Sequence, residues 1–213
     1  MDTMLDGIEV LNHSSIRIAK DKVIYIDPFK IDKEYNDADI IFCTHSHFDH
    51  FSPEDIKKVI KEQTRIVSVE ETKQQLLDLG FKEEEILIVK PGYKYKCAEL
   101  VFKTIPAYNI EKNFHSRNNN WVGYNIKIQD KWYYISGDTD NTKDAQKVKC
   151  DVAFLPVGGI YTMNYKEAAQ LANKIQPALV IPIHYGSLVG TTQDALEFTR
   201  LLDNGIDYEI LMR

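Results

Sequence analysis

The segment His45-Ser46-His47-Phe48-Asp49-His50 constrains this chain more than any other. It follows an apolar run, residues 39–43, that reads as a buried strand. It precedes Ser52-Pro53-Glu54-Asp55, which reads as the start of a helix running to about Lys61. Serine caps a helix, proline suits its first turn, and acids there complement the positive helix end. Three imidazoles and a carboxylate therefore share one loop at the carboxyl end of a strand, where α/β proteins place their sites. His45 and His47, two apart in extended backbone, point to the same side. Asp49 and His50 lie past the turn and address a second position. Four such groups are more than one open tetrahedral zinc takes from its protein. The spacing points to two divalent cations close together; the competing reading is a histidine cluster satisfied by hydrogen bonds.

The remaining elements say what kind of frame carries this loop. Residues 7–11, 15–19 and 23–26 are short strand-like runs rich in β-branched side chains. A strand (65–69), a helix (71–79) and a strand (86–89) follow the first helix, then two or three strands between 94 and 105. Residues 109–120 are polar and read as a loop, and 122–128 with 132–135 form a hairpin around Gln129-Asp130-Lys131. The last third alternates: strand 152–155, helix 165–175, strand 179–183, helix 193–202, strand 208–212. Strands first and βαβ-like units after predict an α/β protein of two packed sheets with helices outside, rather than one doubly wound sheet. A length of 213 residues suits one compact domain, 1–213.

The formal net charge of −6 disfavours a nucleic-acid footprint, which needs a basic face. Lys143, Lys147 and Lys149 read as a solvated face. The first ten residues carry no basic stretch followed by an apolar one, and no apolar run is long enough to span a bilayer, so the expectation is a cytoplasmic protein without membrane contact. Cys43, Cys97 and Cys150 lack paired spacing and read as buried small hydrophobes.

Two further strand ends offer metal-ligand chemistry. Asp138 follows the strand 132–135 in Ser136-Gly137-Asp138-Thr139, where a carboxylate is placed to bridge two cations. His184 follows the apolar run 179–183. Alone, each would read as a turn or structural residue; beside the first motif they become candidates. Tyr185, beside His184, reads as packing, with a donor to the substrate oxygen as the alternative. Gly158-Gly159 before Asn164-x-x-Glu167 resembles a close-approach turn leading into a capping box, a place for an anionic substrate group.

Taken together, His45-x-His47-x-Asp49-His50, Gly137-Asp138-Thr139 and His184 resemble the metallo-β-lactamase superfamily over almost the whole chain. Asn12-His13-Ser14-Ser15, the segment Leu155-Pro156-Val157-Gly158-Gly159 and Pro182-Ile183-His184-Tyr185-Gly186 are similar to its ascorbate-6-phosphate-lactonase-like branch. N-acyl-phosphatidylethanolamine phospholipase D is a more distant relative. The resemblance implies a four-layer αβ/βα sandwich with the site at the edge between two sheets. It implies that His45 and His47 hold the first metal, that Asp49, His50 and His184 hold the second, and that Asp138 bridges them. It places His13 near the site as a group that orients a ligand, against the plainer reading of a buried hydrogen-bonding histidine. The family supplies a third histidine to the first metal from mid-chain, where this sequence has Asn109, a poor zinc ligand. His115 on the nearby loop is then a substitute ligand, a substrate contact or a plain loop histidine. The other outcome is a loosely held first metal.

The chemistry that follows is hydrolysis of a small ester, lactone or phosphoester, with Asp49 and His184 as candidate catalytic residues. Two divalent ions, zinc first with manganese or iron as alternatives, would make hydroxide available at neutral pH. Competing readings are a phosphodiesterase and a non-enzymatic metal-binding protein. An iron-redox branch carries glutamate where this chain has His47. The expected partner is a small molecule, with an anionic group in view, and homo-oligomers are open.

Overall fold

Strand β4 (Ala38–Phe42) is apolar on both faces. Ile40 and Phe42 join one core cluster, while Ala38 and Ile41 join another. A strand of this kind must lie inside a layered structure, and the computed structural model, which describes residues 4–212, has that form.

Among the described residues the strands form two sheets. The first runs in the order β1 (Ile8–Asn12), β2 (Ser15–Ala19), β3 (Val23–Ile26), β4, β5 (Ile60–Ser68), β6 (Ile86–Ile88). Its first three strands are antiparallel and the rest parallel. The second contains β7 (Lys94–Cys97), β8 (Leu100–Pro106), β9 (Val122–Ile128), β10 (Lys131–Ile135), β11 (Val152–Pro156), β12 (Leu179–Ile183) and β13 (Asp207–Tyr208), ordered from β13 to β7. It is antiparallel from β7 to β10 and parallel from β10 to β13.

Burial separates the layers. Ile16, Ile24 and Phe42 of the first sheet meet Phe102, Ile126 and Phe154 of the second in the central core. On the outside of the first sheet, Ile41 and Ile66 pack with Ile56 of α1 (Pro53–Val59) and Leu76 of α2 (Lys73–Asp78). On the outside of the second, Ala153 and Val180 pack with Leu171 of α3 (Tyr165–Ile175) and Phe198 of α4 (Thr192–Arg200). This is the four-layer αβ/βα sandwich expected of the metallo-β-lactamase type.

Capping fits the expected helix starts. Ser52 accepts from the Asp55 N–H, and Asn164 with Glu167 closes a capping box on α3. Several boundaries differ by a few residues, most at the start of β5 and in the last strand. The first helix stops at Val59 because Ile60 turns extended and pairs with Ala38, so sheet pairing wins over the helical pattern. The last strand is only Asp207–Tyr208. Beyond it the Glu209 N–H still donates to the Val180 carbonyl, and the Met212 carbonyl accepts from the Tyr185 hydroxyl at 2.8 Å. Of the cysteines, Cys43 is buried as expected, while Cys97 and Cys150 are half-buried; all three are free thiols.

Candidate metal centre

All six histidines of the chain meet in one cluster with Asp49 and Asp138. The loop after β4 supplies His45, His47, Asp49 and His50. The turn after β10 supplies Asp138, and there Gly137 adopts a φ of +62° in close contact with Thr44 and Val122. The end of β12 supplies His184, the turn between β1 and β2 supplies His13, and the polar loop after β8 supplies His115. His13 and His184 both take left-handed backbone, with φ of 52° and 58°, and the His184 N–H donates to the His13 carbonyl at 2.9 Å. For non-glycine residues this is a costly conformation that surrounding structure must hold.

Two groups of ligand-type atoms emerge. In the first, His45 Nε2 lies 3.1 Å from His47 Nδ1, with His115 completing the set. In the second, His13, Asp49, His50 and His184 converge: Asp49 Oδ2 is 3.3 Å from His13 Nε2, 3.6 Å from His50 Nε2 and 3.9 Å from His184 Nε2. Asp138 stands between them. Its Oδ1 is 3.2 Å from His50 Nε2, and its Oδ2 is 3.2 Å from His115 Nε2 and 3.1 Å from His184 Nε2.

The residues fit divalent cations. Zn–N bonds of ~2.0–2.1 Å at tetrahedral angles span edges of about 3.3 Å between ligand atoms, close to the separations found. His50 Nε2, His115 Nε2, His184 Nε2 and Asp138 Oδ1 are buried with no hydrogen-bond partner. Buried polar atoms left so are costly unless something else satisfies them.

Surrounding bonds fix the lone pairs. His45 Nδ1 donates to Thr44 Oγ1 at 3.0 Å, so Nε2 carries the lone pair that faces His47 Nδ1. His50 Nδ1 donates to Asp27 Oδ2 at 2.7 Å, and Asp27 also accepts from the Thr44 N–H and hydroxyl. A carboxylate behind a ligand histidine orients the ring and raises its basicity. Asn109 and His115 meet at the mid-chain position. Its Oδ1 accepts from His115 Nδ1 and from the His115 N–H, both at 3.0 Å. Its Nδ2 donates to Asp140 Oδ1 and to the Tyr161 carbonyl, which fixes the amide orientation. Asn109 thus stands behind His115, and His115 occupies the place facing Asp138.

Burial pushes His45 well below the usual imidazole range, lowers His47 and brings His13 to about 4, which favours the neutral rings. Burial also opposes ionisation of Asp49 and Asp138. For Asp49, the His13 hydrogen bond and the charge of His50 win, holding it at about 2. For Asp138, the charges of His184 and His50 win, holding it well below the carboxylate range. For His50, burial is overcome by Asp138 and Asp27, which raise it; a cation at Nε2 would take the place of that proton.

Three neighbours had no separate motif. Asp27 follows β3 and precedes Pro28, a strand-end carboxylate like Asp138, and that position was the available signal. Trp121 walls the first group, with its ring centroid 4.8 Å from His45 and 4.7 Å from His47. Glu71 holds both Trp121 Nε1 and Ser46 Oγ, and nothing local in the sequence marks it. Tyr185 is buried, and burial pushes its hydroxyl up to about 12, in keeping with packing.

Comparison with known proteins identifies the family. Residues 7–184 match the family model of the beta-lactamase superfamily domain. A UPF0173 metal-dependent hydrolase of Pyrococcus abyssi is 30% identical over 92% of this chain and 91% of its own length. One from Pyrococcus horikoshii is 29% identical over 96% and 95%. Among solved structures, a protein of Parabacteroides distasonis described as a metal-dependent hydrolase is 30% identical, with a TM-score of 0.81 over 97% of this chain and 93% of that one. Igni18, a metallo hydrolase of Ignicoccus hospitalis, shares the fold at 23% identity and a TM-score of 0.75 over 95% and 93%. The chain belongs to the beta-lactamase superfamily, alongside relatives named as metal-dependent hydrolases.

Proposed function

We propose that this protein is a hydrolase that holds two divalent cations, zinc by preference, and cleaves a small ester or lactone. The observation that carries the reading is the convergence of six histidines and two aspartates with unpartnered buried lone pairs. His45, His47 and His115 would hold one ion; Asp49, His50 and His184 would hold the other, with Asp138 shared and His13 within reach of the second. Borderline-soft imidazole with carboxylate suits zinc, and manganese or iron accept the same set.

Bound there, such ions lower the pKa of water and polarise the oxygen under attack. The chain's own groups do the rest. Asp49, kept ionised by His13 and His50, accepts a hydrogen bond from the attacking water and steers its proton. His184 lines the cavity beside Asp138 and, with it, would position the reacting carbon. The acyl–oxygen bond breaks, the water oxygen ends on the acyl carbon, and the leaving oxygen takes the proton.

Elemental analysis of protein purified without chelator tests the first half: about two metals per chain are expected, with loss on Asp138→Ala. Turnover of p-nitrophenyl esters, a lactone panel and bis-p-nitrophenyl phosphate tests the second. Absence of bound metal after reconstitution would sink the reading.

A further inference from the structure

The cavity over the centre has a volume of about 420 Å³, within the ~300–1,000 Å³ of small-molecule sites. Its polar lining is His47, Asp49, His115, Asp138 and His184, all from the candidate metal cluster. The rest is Phe48, Phe114, Tyr161 and Leu188. These four are exposed, at 66%, 47%, 38% and 42%, although large apolar side chains at a surface need a reason when they gather in one place.

Their positions in the chain are not scattered. Phe48 lies between His47 and Asp49, Phe114 precedes His115, and Leu188 follows His184 by one turn of loop. Three of the segments that deliver candidate ligands therefore also deliver an apolar side chain to the mouth, and Tyr161 adds a fourth from the turn before α3. The aromatics are held edge-on: Phe48 against Phe29 at 5.8 Å, Phe114 against Tyr161 at 4.7 Å.

No lysine or arginine lines the cavity among the described residues. Lys30 reaches the loop beside Leu188, but its ammonium donates to Ser187 Oγ. Lys112 is paired with Asp140 and lies near Glu167. The Gly158-Gly159 turn offers no spare anion cradle either: the Gly159 N–H donates to the Met163 carbonyl and the Ile160 N–H to the Gly158 carbonyl. Asn164 takes the N–H groups of Lys166 and Glu167 at the start of α3.

We infer that the cavity takes an uncharged substrate whose non-reacting part is an apolar acyl or aryl group, seated between Phe48, Phe114, Tyr161 and Leu188. The inference rests on the hydrolase reading for its chemistry, and it narrows the expected small molecule from an anionic one to a neutral ester or lactone.

The test separates the two. Alkyl hydroxamates grip a metal centre through the hydroxamate and place their tail at the mouth, so their affinity reads the mouth without requiring turnover. Calorimetry on the zinc-loaded full chain would compare acetohydroxamate, hexanohydroxamate and the six-carbon analogue ending in a carboxylate. Each methylene fully buried is worth about fourfold. The expected result is hexanohydroxamate tighter than acetohydroxamate by at least ~10-fold, the carboxylate-ended analogue weaker than hexanohydroxamate by a similar factor, and the chain-length ratio compressed in Leu188→Ala and in Phe114→Ala. Equal affinities, or preference for the carboxylate end, would overturn the inference. So would a fall in oligomeric mass in Phe114→Ala, which would mean that a second copy of the chain covers the mouth. Retained tail preference with no turnover of any neutral ester would instead remove the hydrolase reading and leave an apolar binding site.

Discussion

Asp27 Oδ2 lies 2.7 Å from His50 Nδ1, and both side chains are closed to solvent. Asp27 is not within the ligand groups; it acts through His50. Asp27→Asn keeps the shape and tolerates the left-handed backbone at this position, where φ is 47°. It removes the charge that orients the ring. The expected outcome is a ~10–100-fold loss of affinity at the second cation position. Competition with a chromogenic chelator measures it, and unchanged affinity would remove the orienting role.

His115 and Asn109 separate ligand from support. His115→Ala is expected to take bound metal from about two per chain to about one. Asn109→Ala leaves Nε2 of His115 in place but frees the ring, so stoichiometry at saturating metal is retained while affinity falls by ~10–100-fold. Elemental analysis with titration distinguishes them; equal behaviour of the two variants would contradict the arrangement.

Gly158 packs so closely on the His184 loop that an added Cβ would sit 2.3 Å from the His184 carbonyl oxygen and 2.8 Å from Val189 Cγ2. Gly158→Ala therefore pushes backbone, and a cost of ~1–3 kcal/mol is expected, as for overpacking. Urea denaturation of the metal-free proteins reads this cost. A variant as stable as the parent would show that the loop moves freely.

Asp55 ties the first helix to the loop before β4. Its carboxylate accepts from the Lys30 and Ile31 N–H groups, from Ser52 Oγ and from Lys58 Nζ. Burial opposes ionisation, but these donors win and lower its pKa. A lowered folded pKa means stability that is complete above the unfolded value and lost as pH falls through the folded one. Asp55→Asn is expected to cost ~1–3 kcal/mol at neutral pH, and the gap should close below roughly pH 4. Denaturation curves at both ends of that range check the sign.

Much of this was legible from residues alone. The apolar runs, the capping serine and asparagine, and the ligand spacing carry local information that survives folding, so the two-sheet frame and the His45–His50 loop could be read directly. What the sequence hid depends on chain crossings. Asn109 looked like a missing ligand because its partner His115 reaches it only once the polar loop folds back. Asp27, Glu71 and Trp121 touch the site from distant elements, and no periodicity records that. The early end of α1 has the same cause: Ile60 follows its sheet neighbour Ala38 rather than its helical neighbours.

The His184 N–H bonded to the His13 carbonyl joins positions 171 residues apart, one from each sheet. During synthesis, the His45–His50 loop emerges long before the final histidine does. A half-made chain would present imidazoles without a closed coordination shell, open to whichever cation is abundant. Closure of the candidate metal centre thus waits on the docking of β12, which brings His184 against His13.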